Sequence, residues 1–322
     1  MMNGRLLVYG ATGYTGRLVA QHAAAIGLDV TVAGRDPGRV TALADELGVE
    51  ARTFGTGDAR DALADVDCLL NVAGPFRHTA RPLMDACLDA GVHYLDTTAE
   101  FATFALAQSL DEQATHAGIM LMSGTGWDVV PSDCLALHAT RRVTEPETLT
   151  IALCVTGGFS RGSLASAAGI EDLGTYVRRS GRLARLETAA PRAFDFGNGP
   201  EECLPVSMGD LITAPKSTGL GDVEVYLGTD KGFSATEADG PSEAERARGH
   251  YLALAEVTGG DGRVARSLVT TPTGYTFTQH SSVEIARRVL SGQFRPGFQS
   301  PASAYGPELV TAIDGTTVVD LD

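Results

Sequence analysis

Lysine is nearly missing from this 322-residue chain, occurring only at Lys216 and Lys231. Neither lies four residues after a tyrosine, which excludes the Tyr-x-x-x-Lys pair that short-chain reductases use to protonate a carbonyl oxygen. Arginine carries nearly all the positive charge, and acids outweigh it. A net charge of -15 and a pI near 4.8 argue against nucleic acid or an anionic membrane as partner. The five cysteines, Cys68, Cys87, Cys134, Cys154 and Cys203, are scattered, odd in number and never paired as C-x-x-C. Most lie in apolar stretches, where a free cysteine acts as a small core residue. The seven histidines show no H-E-x-x-H or comparable spacing, so no metal is expected. No apolar run reaches the roughly 18 residues of a membrane span. The first residues run straight into a strand without a leader pattern, so a cytoplasmic protein is expected.

What is present begins with Arg5-Leu6-Leu7-Val8-Tyr9, a short apolar run suited to a buried parallel strand. Gly10, Gly13 and Gly16 follow at spacing three, and Leu18, Val19, His22 and Ala23 then form a helical stripe. A strand that turns sharply into a helix needs residues without Cβ. Their absence lets backbone N–H groups and the positive helix end approach a pyrophosphate. Gly10, Ala11, Thr12, Gly13, Tyr14, Thr15 and Gly16 are therefore the candidate dinucleotide loop. The second strand, Asp29 to Ala33, ends in Gly34-Arg35-Asp36-Pro37. An NAD site usually places an acid there to accept the ribose hydroxyls. Here Arg35 comes first and Arg39 follows, both able to meet a 2′-phosphate, while Asp36 reads as a helix N-cap with Pro37 behind it. NADP is expected over NAD.

Strand and helix signals alternate to about residue 125, which implies a doubly wound parallel sheet. The fourth strand, Val66 to Val72, runs into Ala73-Gly74-Pro75-Phe76, a turn expected at the carboxyl edge beside the cofactor. Tyr94, Asp96 and Glu100 belong to a strand and polar loop at the same edge. Trp127 and Asp128 follow the next strand. Beyond that the texture changes. Thr148 to Thr156 reads as a strand, and Gly157-Gly158-Phe159-Ser160-Arg161-Gly162-Ser163 as a turn opening a helix through about Arg179. Residues 186 to 220 have no clean period. Tyr251 to Thr258 and Arg263 to Thr271 read as a hairpin, Ser281 to Leu290 as a helix, and Phe294 to Tyr305 as a tail over the surface. The expected division is a Rossmann domain over 1–130, a mixed α+β domain over 131–280, and a C-terminal helix and tail over 281–322 that packs back on the first.

Taken together, these segments resemble the saccharopine dehydrogenase-like oxidoreductases, in their short branch with the trans-acting enoyl reductases. The resemblance rests on Gly10–Gly16, Ala33-Gly34-Arg35, Asn71–Phe76, His93–Glu100, Asp128–Asp133, Gly157–Ser163 and the Gly274-Tyr275 segment. It implies NADPH-dependent hydride transfer to an activated double bond, either a C=N imine or the C=C of an enoyl thioester. The substrate would be a small molecule or carried on a protein, and the chain could form a homodimer. Ala99 and Arg161 stand where the family often has glycine. Asp128 and Tyr94 are the catalytic candidates, as proton donors. Glu100, Trp127, Ser160 and Arg161 are the substrate-binding candidates, with Arg161 suited to an acidic group and Asp133 to a supporting role. Two other readings stay open: a non-catalytic NADP-binding regulator, and a serine hydrolase built on Gly158-Phe159-Ser160-Arg161-Gly162 with Asp222 and His250 or His280.

Overall fold

The computed structural model describes residues 4–156, 158–160, 174–229, 234–235 and 240–321. Its contacts divide the chain into two units, residues 1–126 with 278–299, and residues 127–277 with 300–322.

The first unit is a seven-stranded parallel sheet. Its strands are β1 (Arg5–Tyr9), β2 (Asp29–Gly34), β3 (Glu50–Thr53), β4 (Cys68–Asn71), β5 (His93–Asp96), β6 (Met120–Met122) and β17 (Gly297–Phe298). The order β17-β6-β5-β4-β1-β2-β3 is that of a doubly wound sheet, reversing direction between β1 and β4. Leu6, Leu7, Val8, Leu69 and Leu70 are fully buried, as central strands covered on both faces require. Helices Tyr14–Ala25, Pro37–Leu47 and Phe76–Ala90 follow β1, β2 and β4. Asp36 is the N-cap read from the sequence: its Oδ1 accepts from Arg39 N at 3.1 Å, with Pro37 just inside the helix. The fold class read from the sequence, a parallel Rossmann sheet with a second mixed unit, is the one found.

The second unit is built on a mixed sheet. Its main path runs β10 (Arg182–Arg185), β9 (Tyr176–Arg179), β13 (Asp222–Thr229), β7 (Pro146–Val155), β15 (His250–Gly259), β16 (Val264–Pro272) and β18 (Thr317–Leu321). Strands β11 (Arg192–Asp195) and β12 (Pro200–Pro205) attach through β13, and β8 (Gly158–Phe159) pairs with β14 (Ser234–Ala235). Helix Val130–Thr140 is buried over most of its length and packs on β15 and β16. The expected β15–β16 hairpin is present, and Gly262 takes φ +80° in its turn.

Local readings differ from the structure in four places. Residues 176–179 form a strand where a helix was expected, because Ser180 (φ 46°) and Gly181 (φ 78°) make a two-residue hairpin turn. The stretch 186–220, without a clean period, holds β11, β12 and helix Asp210–Thr218. The proline- and glycine-rich tail does not lie over the surface: Phe298 is 1% exposed, and its N–H donates to Asp111 Oδ1 at 2.6 Å. The last helix also begins at Gly274, before the expected Ser281. Among the described residues no helix is long and apolar enough to cross a membrane.

The tightest contact in the first unit generates the first prediction. A Cβ on Gly16 would stand 2.2 Å from the Gly10 carbonyl oxygen and 2.8 Å from Ala11 Cα. Backbone on both sides leaves no flexible group to move. Gly16→Ala should therefore destabilise the protein by about 1–3 kcal/mol in urea unfolding. Unchanged stability would contradict this close approach.

Candidate functional site

The sheet edge where β1 and β4 end carries two strand-to-helix turns, and the two differ in charge. At the first, Gly10 adopts φ +85°, and a Cβ there would meet Ala73 N at 2.8 Å. Gly13 is the N-cap of helix Tyr14–Ala25, which has no side-chain cap and no acid in its first turn. Neither its cap nor its first turn supplies an acid to the leading N–H groups. At the second, Glu100 supplies one. Its Oε1 accepts from Phe76 N at 2.7 Å and its Oε2 from Arg77 N at 2.8 Å, capping helix Phe76–Ala90. Glu100 was a substrate-binding candidate; the structure commits its carboxylate to this cap.

Asn71 holds the second turn from below. It is fully buried, donates to Thr79 Oγ1 and to the Tyr94 hydroxyl at 3.1 Å each, and accepts from Ala73 N at 3.0 Å. Ala73 and Pro75 are half-buried, Gly74 is exposed and Phe76 is buried, with the Gly74–Pro75 peptide cis. Tyr94 is corrected here. It is fully buried in β5 with its hydroxyl bound to Asn71, and burial raises its pKa well above the ordinary value. It is a core residue and does not present a proton to a substrate. Asp96 is likewise buried, and its side chain ties Thr98 N, Gly124 N and Ser123 Oγ within 3.0 Å.

Beyond the first turn stand the two arginines. Arg35 is exposed at the end of β2 and forms no hydrogen bond or ion pair among the described residues. Arg39 is also exposed, and its Nη2 donates to Thr12 O at 2.8 Å, bracing the glycine loop. The glycine positions, the uncapped helix end and the exposed Arg35 fit a phosphorylated dinucleotide.

Residues 6–122 match the family model of the saccharopine dehydrogenase NADP binding domain. This stretch is similar to that family. The domain is of the nicotinamide-dinucleotide-binding kind, and the family resemblance read from the sequence is upheld. A Mycobacterium tuberculosis protein bearing the provisional name trans-acting enoyl reductase is 34% identical over 238 residues, covering 67% of this chain and 56% of that protein. A trans-acting enoyl reductase of Mycobacterium ulcerans is 31% identical over 156 residues, 44% of this chain and 37% of that one. The chain thus spans little more than half the length of the first of these relatives. A solved apo saccharopine dehydrogenase (L-Glu forming) from Saccharomyces cerevisiae shares the fold, with TM-score 0.66, 14% identity and coverage of 99% of this chain and 100% of that one.

The second unit holds the remaining candidates. Trp127 is buried, and its Nε1–H donates to Thr271 Oγ1 at 2.7 Å. Asp128 keeps part of its surface open, yet burial pushes its carboxyl up to about 6. It does not cap the following helix, which has Val129 at the N-cap and no side-chain cap. Ser160 is buried, and its N–H donates to the Tyr275 hydroxyl at 2.7 Å. Arg161 lies outside the described residues. The hydrolase partners are engaged elsewhere: Asp222 Oδ1 accepts from Ser180 N, His250 Nδ1 faces Thr271 O, and His280 Nδ1 faces His22.

Two further buried acids escaped sequence reading in their full setting. Asp133 Oδ1 accepts from Ser217 Oγ at 2.6 Å and its Oδ2 from Ala302 N at 2.8 Å. Asp210 Oδ1 accepts from Ser132 Oγ at 2.5 Å, while its Oδ2 is buried without a partner among the described residues. Burial pushes Asp133 up to about 6 and, with the nearby Asp133 and Asp128 charges adding to it, Asp210 up to about 7.

These shifts fix a direction for stability. A carboxyl with a folded pKa above its unfolded value binds more protons when folded, so stability falls as pH rises between the two. For Asp210 that window runs from about 4 to about 7. Wild-type protein should melt higher at pH 5 than at pH 8, and Asp210→Asn should shrink that difference. A variant whose melting temperature keeps the full wild-type slope would refute this account of Asp210.

Proposed function

We propose that this chain is an NADPH-dependent reductase that delivers hydride to the conjugated C=C bond of an enoyl thioester carried on a pantetheine arm. The observation that carries the reading is the N-terminus of helix Tyr14–Ala25, with no side-chain cap at Gly13 and no acid in its first turn, reached over Gly10, Gly13 and Gly16 in a stretch similar to the NADP binding domain family. The leading N–H groups of that helix would hold the pyrophosphate, and Gly16 lets the helix start this close to β1. Arg35 would hold the 2′-phosphate, and Ala73 and Gly74 would border the cofactor beside Gly10. When bound, the cofactor supplies a hydride; the protein contributes orientation and a proton.

The enoyl thioester is preferred over an imine because the curated relatives at 34% and 31% identity are named as enoyl reductases. The saccharopine dehydrogenase at 14% identity supports the fold alone. A partner carrier domain and a homodimer remain part of the proposal, as does a location in the cytoplasm.

Two measurements test it. NADPH oxidation should accompany an enoyl pantetheine thioester and be absent with simple ketones. Turnover of cyclic imines alone would move the assignment to C=N reduction, and tight NADPH binding with no turnover across the panel would favour a regulator. In fluorescence titration, Arg35→Ala should weaken NADPH about ten- to a hundredfold, the worth of one charge-assisted contact, and leave NADH unchanged. Equal NADPH affinity in the variant would contradict the role of Arg35.

A further inference from the structure

The glycine loop of the first unit has one peptide plane held at both ends. The N–H of Gly13 donates to Gly10 O at 3.0 Å. The carbonyl of the same peptide, Thr12 O, accepts from Arg39 Nη2 at 2.8 Å, from a residue 27 positions further along the chain. The root of the loop is tied to β2, because Gly10 and Ala11 both donate to Ala33 O, at 2.9 and 3.2 Å.

Arg39 reaches the loop because of how β2 ends. It stands in the first turn of helix Pro37–Leu47, where its own N–H donates to the Asp36 cap at 3.1 Å. Gly34 lies beneath both elements: a Cβ there would stand 3.2 Å from Val40 Cγ2 and 3.8 Å from Thr12 Oγ1. A residue without a side chain at this point lets the helix turn and the glycine loop approach closely enough for one guanidinium to span them. Arg35, next to Gly34, has a different setting. It is exposed and forms no hydrogen bond or ion pair among the described residues. Two arginines that look interchangeable in the sequence are therefore unlike in the fold.

We propose that the two arginines have separate roles in cofactor binding. Arg35 selects for the 2′-phosphate, and Arg39 is a positioning residue that shapes the pyrophosphate loop for either nicotinamide dinucleotide. This rests on the NADPH-dependent reading above. With its oxygen held by Arg39 and its N–H by Gly10, the Thr12–Gly13 peptide cannot turn over. Turned over, its carbonyl would face the pyrophosphate and repel it. A guanidinium keeps its charge throughout the working pH range, so the brace is permanent. The pyrophosphate is common to NADH and NADPH, whereas the 2′-phosphate belongs to NADPH alone. Loss of Arg39 therefore weakens both cofactors, and loss of Arg35 weakens one.

The test titrates the full chain, as wild type, Arg39→Ala and Arg35→Ala, with NADPH and with NADH by nicotinamide fluorescence. Arg39→Ala should raise the Kd of both cofactors about tenfold, the worth of one preorganising contact from a charged donor, and so keep the wild-type preference between them. Arg35→Ala should abolish that preference. An Arg39→Ala protein that binds NADPH more weakly and NADH as before would place Arg39 on the 2′-phosphate and overturn the separation of roles. Unchanged affinity for both would overturn it too. Amide exchange in the cofactor-free protein distinguishes positioning from folding. In Arg39→Ala, exchange should rise at Gly13 while Leu6, Leu7 and Val8 of β1 keep their wild-type protection. Faster exchange across β1 as well, with a lowered melting temperature, would make Arg39 a residue of general stability and overturn its positioning role. Each of these contrary results leaves the NADPH-dependent reading intact, whereas wild-type protein that binds neither dinucleotide would overturn both.

Discussion

Gly10 and Gly16 lie so close that the first unit depends on their lacking side chains. The carbonyl of Gly10 occupies the space a Cβ at Gly16 would need, and Ala73 occupies the space beside Gly10 itself. This contact lets helix Tyr14–Ala25 start directly off β1, at the point where the sheet reverses its order. The helix N-terminus is thereby set at the carboxyl edge of the central strands, where a doubly wound sheet binds its ligand. The adjacent turn after β4 meets the same electrostatic demand from within, because Glu100 neutralises the helix beginning at Phe76. One helix end takes a carboxylate from the chain, while the other has no side-chain cap and no acid in its first turn. That asymmetry, rather than the glycine pattern alone, distinguishes a binding turn from a structural one.

Carboxylates in this acidic chain divide by what surrounds them. At the amino end of the sheet, Arg5 and Arg52 gather Asp29, Glu50 and Asp65 in exposed pairs, where ion pairing adds little. Inside, Asp96, Asp133 and Asp210 have no basic partner among the described residues and are held by hydroxyls and backbone N–H groups. Hydroxyl partners stabilise a carboxylate less than a guanidinium does, so burial prevails and the pKa values rise. Asp133 and Asp210 tie helices Val130–Thr140, Asp210–Thr218 and Pro301–Tyr305 into one layer of the second unit.

Much of the first unit was legible in the sequence because its signals are local. A glycine turn between an apolar strand and an apolar stripe, and Asp36-Pro37 opening a helix, each state their geometry within a few residues. The failures were tertiary. Nothing near Glu100 in the chain reveals that its carboxylate reaches Phe76, and nothing near Tyr94 reveals that Asn71 takes its hydroxyl. Phe298 sits among prolines and glycines, yet its ring has a place in the core of the first unit. The Ser180-Gly181 turn was concealed by an arginine-rich stretch that suits helix and strand alike.

The central claim is that the end of helix Tyr14–Ala25 is the anion site of a bound dinucleotide. Amide hydrogen exchange with and without saturating NADPH tests it most directly, because the site is made of backbone N–H groups. The account predicts slower exchange across Gly10–Arg17, together with protection around Arg35–Arg39. Saturation by NADPH with unchanged exchange across Gly10–Arg17 would contradict it.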